Sequence, residues 1–378
     1  MSGLYIHIPF CKNKCIYCNF YSIVYRKQSA TEYINILKKQ LSNLNQNFST
    51  IYIGGGTPTI LDFLELKALL YSLRKFIKNA NEITIEANPE SLNVDKVKLF
   101  IDEGVNRISI GAQSFNDKKL ERLGRMHSSY QAKTAISLCK KYGFKNINID
   151  LIFGVFGETY PIWKKDLLEV IKLAPSHVSI YMLTYEKNTP LYKQLQKKLI
   201  LQMDEELVVK MYKFAINFLE KNGFCQYEIS NFAKRNYFCQ HNINYWENNP
   251  YTGLGPSAFS YNDGVRAKNI SCLKEYIEKV KKNENFIAFS EKLKPIRRAK
   301  ETASLKIRTI EGIDFDWFYK KTGFDFLVLE KEALRMLIKN RLIRYRICND
   351  PAKNKLKVGI CLTKKGLLFS DTVSAALL

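Results

Sequence analysis

Tyr5-Ile-His-Ile-Pro-Phe-Cys11-Lys-Asn-Lys-Cys15-Ile-Tyr17-Cys18-Asn-Phe20 is the stretch on which the fold turns. Its first half reads as a β-strand, and its second half as a loop with cysteines in C-x3-C-x2-C spacing. On a loop after a strand, that spacing lets three thiolates converge on one soft metal centre. Zinc sites usually combine a C-x2–4-C unit with a second, distant ligand pair, and none is evident here. Iron–sulfur clusters usually take four cysteine ligands. Three without a fourth leave one iron open to something else.

Outward from this stretch, the first 230 residues alternate strands with helices. Runs at 4–10, 50–54, 83–88, Arg107–Gln113, Asn146–Phe153 and 177–184 predict six strands. Leu66, Leu69, Leu70, Leu73, Phe76 and Ile77 form an apolar helical stripe, with Thr59 and Asp62 as its expected capping box. A second amphipathic helix spans 204–222, and Gly223 supplies its stop. Six β-α pairs argue for a parallel sheet, either an incomplete barrel or a doubly wound layer. Residues 231–261 are rich in aromatic, Asn and Gly residues and show little periodicity. From about Pro295 the chain reads as three helices, two strands joined by a turn at 349–355, and a mixed tail over 363–378. The expected units are a barrel over 1–230, a connector over 231–294 and a winged-helix-like domain over 295–378.

The net charge of +23 invites a nucleic-acid reading. The excess is spread along the chain among many Asn and Ile residues, which favours compositional bias and a solvated surface, so no nucleic-acid partner is expected. A positive surface also suits an anionic ligand such as a tetrapyrrole with propionates. No basic leader with an apolar core opens the sequence, and no apolar run approaches the roughly 18 residues of a membrane span. The expected location is cytoplasmic, with membrane association at most peripheral. Three of the nine cysteines crowd into the first loop. The other six (Cys139, Cys225, Cys239, Cys272, Cys348 and Cys361) are expected mostly as small buried hydrophobes.

The cysteine triad after the first strand resembles the signature of the radical SAM superfamily. Its surroundings are similar to the branch containing oxygen-independent coproporphyrinogen III oxidase, over most of residues 4–260. The resemblance implies a partial (βα)6 TIM-like barrel whose strand C-termini surround the cofactors. It implies a [4Fe–4S] cluster on Cys11, Cys15 and Cys18, with S-adenosylmethionine (SAM) chelating the open iron. Cleavage of SAM would give a 5′-deoxyadenosyl radical. Consecutive glycines at Gly54-Gly55-Gly56-Thr57 let a backbone approach a ligand and expose its N–H groups; in the superfamily such a motif receives the amino group of SAM. The same resemblance assigns SAM contacts to Tyr5, Tyr17, Gly55, Gly56, Thr57, Glu86, Gln113, Arg125 and Asp150. Arg125 would bind the SAM carboxylate and Asp150 the ribose hydroxyls. Charge at a strand's C-terminal end suits an active-site mouth.

Within that branch, Phe20 stands where the oxidase usually has a further cysteine, and the first strand is reached at Leu4 without the oxidase's long N-terminal extension. The run Cys239-Gln-His241-Asn242-Ile-Asn-Tyr245-Trp246 carries H-N-x-x-Y-W, and so resembles the haem-chaperone family HemW. That likeness implies haem as ligand, held at His241, Asn242, Tyr245 and Trp246, and passed to an acceptor protein, for example a respiratory one. An imidazole can ligate the iron while aromatic rings pack on the macrocycle. Cys239 is a second candidate for axial or covalent attachment. His7 is expected to shape the cluster loop, and His127 and His177 to be structural. The alternative is coproporphyrinogen oxidation or other radical chemistry on a tetrapyrrole, and a third reading is RNA modification. Cleavage of SAM in the normal cycle, and a homodimer, are left open by the sequence.

Overall fold

The computed structural model describes residues 2–350 and 355–378. Six parallel strands form its centre in sequential order: β1 (Gly3–Ile8), β2 (Thr50–Gly55), β3 (Glu82–Ala87), β4 (Arg107–Gln113), β5 (Asn146–Phe153) and β6 (His177–Met182). Each expected strand is present, displaced by at most two residues at either end. Their sequences alternate strictly. Leu4, Ile6 and Ile8, then Ile51 and Ile53, Ile83 and Ile85, and Ile108 and Ile110 point outward, buried in one core with the surrounding helices. Tyr5, His7, Tyr52, Glu86, Ser109, Asp150 and Ser179 point the other way, into the barrel. A period of two therefore separates an apolar helix-facing layer from a polar lumen. Each fully buried Leu or Ile of the outer layer contributes roughly 1.5–3 kcal/mol.

The helix after β2 spans Phe63–Ile77 and buries Leu66, Leu69, Leu70, Leu73 and Phe76, as its periodicity predicts. Its capping box is one turn later than expected. Asp62, not Thr59, is the N-cap, and Glu65 returns the second bond. Thr59 instead lies in a short turn of 3-10 helix and bonds Ser91. The later helix runs Glu205–Lys221, capped by Asp204, with Gly223 at φ +83° just beyond it.

The segment expected as an irregular connector instead extends the barrel sheet. Tyr251–Leu254 pairs parallel with β1, and Phe259–Asn262, Val265–Asn269 and Ile287–Lys292 follow antiparallel. On the opposite side Asn231–Ala233 pairs antiparallel with β6. The C-terminal region has its own core, built from Ala303, Ile307, Phe318, Leu337 and Ile360 among others. Helices Pro295–Lys306, Phe315–Thr322 and Lys331–Lys339 precede the antiparallel strands Ile343–Asp350 and Lys355–Leu362, which agrees with the winged-helix-like expectation. The turn between those strands lies outside the described residues. No helix among the described residues is long and apolar enough to cross a membrane.

Candidate functional site: the cysteine loop and the barrel lumen

The cysteine loop leaves the C-terminal end of β1 and is tied down on both sides. Pro9 and Cys11 carbonyls accept from Ile23 and Tyr25, while Ile8 and Phe10 carbonyls accept from Gly56 and Thr57. His7 shapes the loop from below. Its Nε2 meets the Tyr21 carbonyl at 2.9 Å and its Nδ1 meets the Tyr5 hydroxyl at 3.0 Å.

Cys11, Cys15 and Cys18 are all partly buried and unpaired as disulfides. The Thr57 hydroxyl donates to Cys11 Sγ at 3.6 Å and Arg125 Nη1 to Cys15 Sγ at 3.4 Å. Burial pushes the Cys11 and Cys18 thiols up, so a metal centre must displace protons to bind them. Among the described residues no three His, Cys, Asp or Glu side chains are placed to share a single ion. A [4Fe–4S] cluster asks for something else, one thiolate on each of three irons. The donor set of three soft sulfurs, a guanidinium and a hydroxyl fits such a cluster.

The glycine motif works differently from its sequence reading. The N–H groups of Gly55, Gly56 and Thr57 are all used internally, donating to Glu86 Oε2, Ile8 O and Phe10 O. What glycine provides is room. A Cβ on Gly56 would lie 2.7 Å from the Phe10 carbonyl, and one on Gly55, at φ +112°, would lie 2.5 Å from His7 Nδ1. The cysteine loop can therefore lie flat on this turn.

Arg125 reaches the mouth from the loop after the helix Asp117–Arg122 and is the hub of the site. Its Nη2 donates to Asn88 Oδ1 at 2.7 Å and to the Gly111 carbonyl at 2.9 Å. Its buried Nε has no partner among the described residues, which leaves a donor for an anionic group. Tyr17 packs beside it, its hydroxyl pushed up by burial. Gln113 ends β4 at φ +61°, a backbone region costly for a non-glycine residue, beside a register shift in the β4–β5 pairing. Asn88 was not legible as a site residue. It links Thr57 to Arg125, and its only signal is its place before Pro89 at the end of β3.

Glu86 and Asp150 lie inside the lumen. Glu86 accepts from the Tyr52 hydroxyl at 2.7 Å and from Gly55 N–H at 3.0 Å. Asp150 accepts from Ser109 and Asn148 at 3.1 and 2.7 Å. Burial raises the Glu86 carboxyl from 4.5 to about 7, against the pull of Tyr52. A raised folded-state pKa favours folding fully below pH 4.5, and that contribution is lost as pH rises towards 7. Glu86→Gln removes the titration. Its urea midpoint is expected to fall less than the wild type's across that window; parallel slopes would show that Glu86 does not titrate there.

The helix Gln240–Trp246 plugs the lower end of the lumen, away from the cysteines. Glu82, at the start of β3, accepts Gln240 and His241 N–H groups at 2.9 and 3.0 Å and the Cys239 thiol at 3.4 Å. His241 is 1% exposed and stacks on Tyr52, with Nδ1 at 2.8 Å from Thr50 Oγ1 and Nε2 at 2.9 Å from the Tyr245 hydroxyl. Cys239 is fully buried, and burial pushes its thiol up to about 12. Asn242 is partly exposed. Trp246 lies under the Arg308 guanidinium at 5.4 Å. His127 and His177 bond the Ala112 carbonyl and the Asn148–Tyr227 pair, as structural residues do. Of the six scattered cysteines, Cys139, Cys239 and Cys361 are buried, Cys225 and Cys348 are partly exposed and Cys272 is exposed.

A cavity of about 460 Å³ connects the two regions, with Tyr5, His7, Phe20 and Tyr21 on the cluster-loop side and Tyr245 and Tyr251 on the other. Arg266, at its edge, is paired with Glu301. A larger cavity of about 850 Å³, between Tyr227, Ile243, Arg344 and Tyr345, touches none of the cysteine loop.

This barrel and cysteine loop are those of a radical SAM protein, and residues 5–174 match the family described as the Radical SAM superfamily. The solved structure of coproporphyrinogen III oxidase (HemN) from Escherichia coli superposes with a TM-score of 0.83 at 23% identity, covering 100% of this chain and 89% of that one. That likeness establishes the fold. The protein named Heme chaperone HemW of Bacillus subtilis is 32% identical over 100% of this chain and 99% of its own length. Heme chaperone HemW of Lactococcus lactis is 34% identical, with 90% of each chain covered. The chain belongs to the HemW heme-chaperone family.

Proposed function

We propose that this chain is a haem chaperone: it binds haem beside a cluster-bearing radical SAM site and passes it to an acceptor protein. Superfamily membership implies a [4Fe–4S] cluster and SAM. In this reading Cys11, Cys15 and Cys18 hold the cluster, and Arg125 and the Gly54–Thr57 turn receive SAM's carboxylate and amino groups. When bound, the two together supply reductive SAM cleavage.

The observation that carries the haem reading is the aromatic cavity between Phe20 and Tyr245. Its volume of about 460 Å³ is that of a small-molecule site, and its walls are rings suited to a macrocycle. Arg266, paired with Glu301, lies at the cavity's edge. The larger cavity lacks continuity with both the cysteine loop and Tyr245, so it is the weaker candidate despite its size.

Haemin titrated into the reconstituted chain is expected to give a saturable Soret change at one haem per chain. Tyr251→Ala, which removes one aromatic wall, should weaken that binding, whereas Tyr345→Ala in the larger cavity should not. No saturable change, or loss only with Tyr345→Ala, would refute this placement.

A further inference from the structure

We infer that the free edge of the strand Ile343–Asp350 is a docking slot for an extended, acidic segment of the haem-acceptor protein, which adds to the C-terminal sheet as a further strand. The partner's identity rests on the haem-chaperone reading; its place rests on the cavity of about 850 Å³. That sheet runs in the order Ile313–Asp314, Lys355–Leu362, Ile343–Asp350, so the last of these is an edge. Arg344, Tyr345, Arg346 and Ile347 all line the cavity. Side chains alternate along a strand, so four consecutive ones cannot all point into one space. The cavity therefore runs along the strand's edge and its backbone. The Leu342 carbonyl accepts from Thr363 N–H. Counting along the antiparallel ladder from that bond turns the N–H and C=O groups of Tyr345 and Ile347 away from Lys355–Leu362 and towards the open side. Among the described residues no other backbone group bonds them. The opposite wall includes the rings of Tyr227 and Phe238, stacked at 4.7 Å.

Charge and polarity along this edge select the occupant. Arg344 and Arg346 share one face of the strand. Tyr345 and Ile347 share the other, where Val358 stands beside Ile347 on the neighbouring strand. Tyr345 and Ile347 are 54% and 68% exposed, which is apolar surface with nothing over it. Lys306, the third cation at the cavity, is already paired with Glu247 and Glu311. Among the described residues Arg344 has no ion pair or hydrogen bond, and Arg346 bonds only the Glu311 carbonyl. Two guanidiniums thus line the slot without a carboxylate. A second copy of the same strand would bring like charges together, which is unfavourable across a strand pair. A strand that alternates acidic and apolar residues satisfies both faces at once. Its main-chain bonds supply affinity, and its alternate side chains supply selectivity.

A fluorescein-labelled peptide of sequence Val-Glu-Val-Glu-Val-Glu, followed by anisotropy on the full chain, tests the slot. It is expected to bind saturably. Its Val-Lys counterpart, and the scramble Val-Val-Val-Glu-Glu-Glu, should bind at least about tenfold more weakly. The double variant Arg344→Ser/Arg346→Ser should weaken the acidic probe by about tenfold or more, the scale of removing close charge pairs. N-methylation of the probe separates strand addition from charge attraction alone: methylating one alternate set of amides should abolish binding, while the other set keeps it within about twofold. No saturable binding of the acidic probe, equal binding of the scramble, or equal loss from both methylated sets would overturn the slot. An oligothymidylate held by the same two arginines, with the acidic probe not bound, would make the edge a nucleic-acid site and overturn it as well. Haemin titration of the same preparations distinguishes this inference from the reading beneath it. Saturable haemin binding without probe binding removes the slot alone, whereas probe binding without haemin binding removes the haem acceptor as its occupant together with the haem reading.

Discussion

Cys15→Ala is expected to leave anaerobically reconstituted protein with less than about a tenth of the wild-type cluster iron, because thiolate ligation is the dominant binding term. Cys15 is the middle ligand of the proposed cluster, and the only one of the three whose sulfur accepts from Arg125, at 3.4 Å. Its loss removes one thiolate and leaves Arg125 facing the site without its sulfur partner. SAM binding should fall in parallel, since the open iron disappears with the cluster. Cys272→Ala, which removes an exposed thiol outside the loop, is the control and should retain iron. Iron analysis and visible absorption after desalting read the result. Full loading of Cys15→Ala would remove Cys15 from the ligand set.

The second large effect concerns stability. Lys119 is completely buried, with Nζ 2.6 Å from Glu158 Oε1 and 3.0 Å from Asp166 Oδ2, and both carboxylates are also buried. Asp166 additionally accepts Ser114 Oγ and Phe115 N–H, the residues that follow Gln113 at the end of β4. The cluster of charges therefore fixes the turn leading into the helix Asp117–Arg122 and on to Arg125. Lys119→Met strands two buried carboxylates, and removing one member of such a set costs about 3–5 kcal/mol. Denaturant unfolding should show that loss. Neutralising the carboxylates as well, with Glu158→Gln and Asp166→Asn, should recover part of it. A change below about 1 kcal/mol would place the three groups in a wetter, better-screened setting than the one described.

The barrel was legible because its strands advertise two faces. Ile-Thr-Ile-Glu in β3 and Asn-Ile-Asn-Ile-Asp in β5 put isoleucine against the helices and a polar residue in the lumen at every second position. The strands after residue 250 carry no such pattern. All six residues of Ile287–Lys292 are exposed, so backbone pairing with Val265–Asn269 makes that segment a strand, without any help from burial. The capping box slipped by three residues because Thr59 and Asp62 both satisfy the local rule; the bonds made by Glu65 decide between them.

The site divides in the same way. Three cysteines at tight spacing are a local signal, and residues 11–18 carry it entire. The burial of His241 is a long-range fact, set by Thr50 and Glu82 on strands some 160–190 residues earlier. Nothing in H-N-x-x-Y-W tells which of its rings faces a cavity and which supports from behind. The glycine turn shows a related limit. Its residue types announced close backbone approach, but only the pairing with Ile8 and Phe10 reveals that the approaching backbone belongs to the chain itself.

In the proposed function a tetrapyrrole is cargo and leaves the chain unchanged. The most direct measurement is the mass of the tetrapyrrole recovered after anaerobic incubation of the reconstituted chain with SAM and reductant, run in parallel with haem and with coproporphyrinogen III. The expected result is haem of unaltered mass and coproporphyrinogen left unconverted. Protoporphyrinogen accumulating over many turnovers would contradict it and make the chain an oxidase.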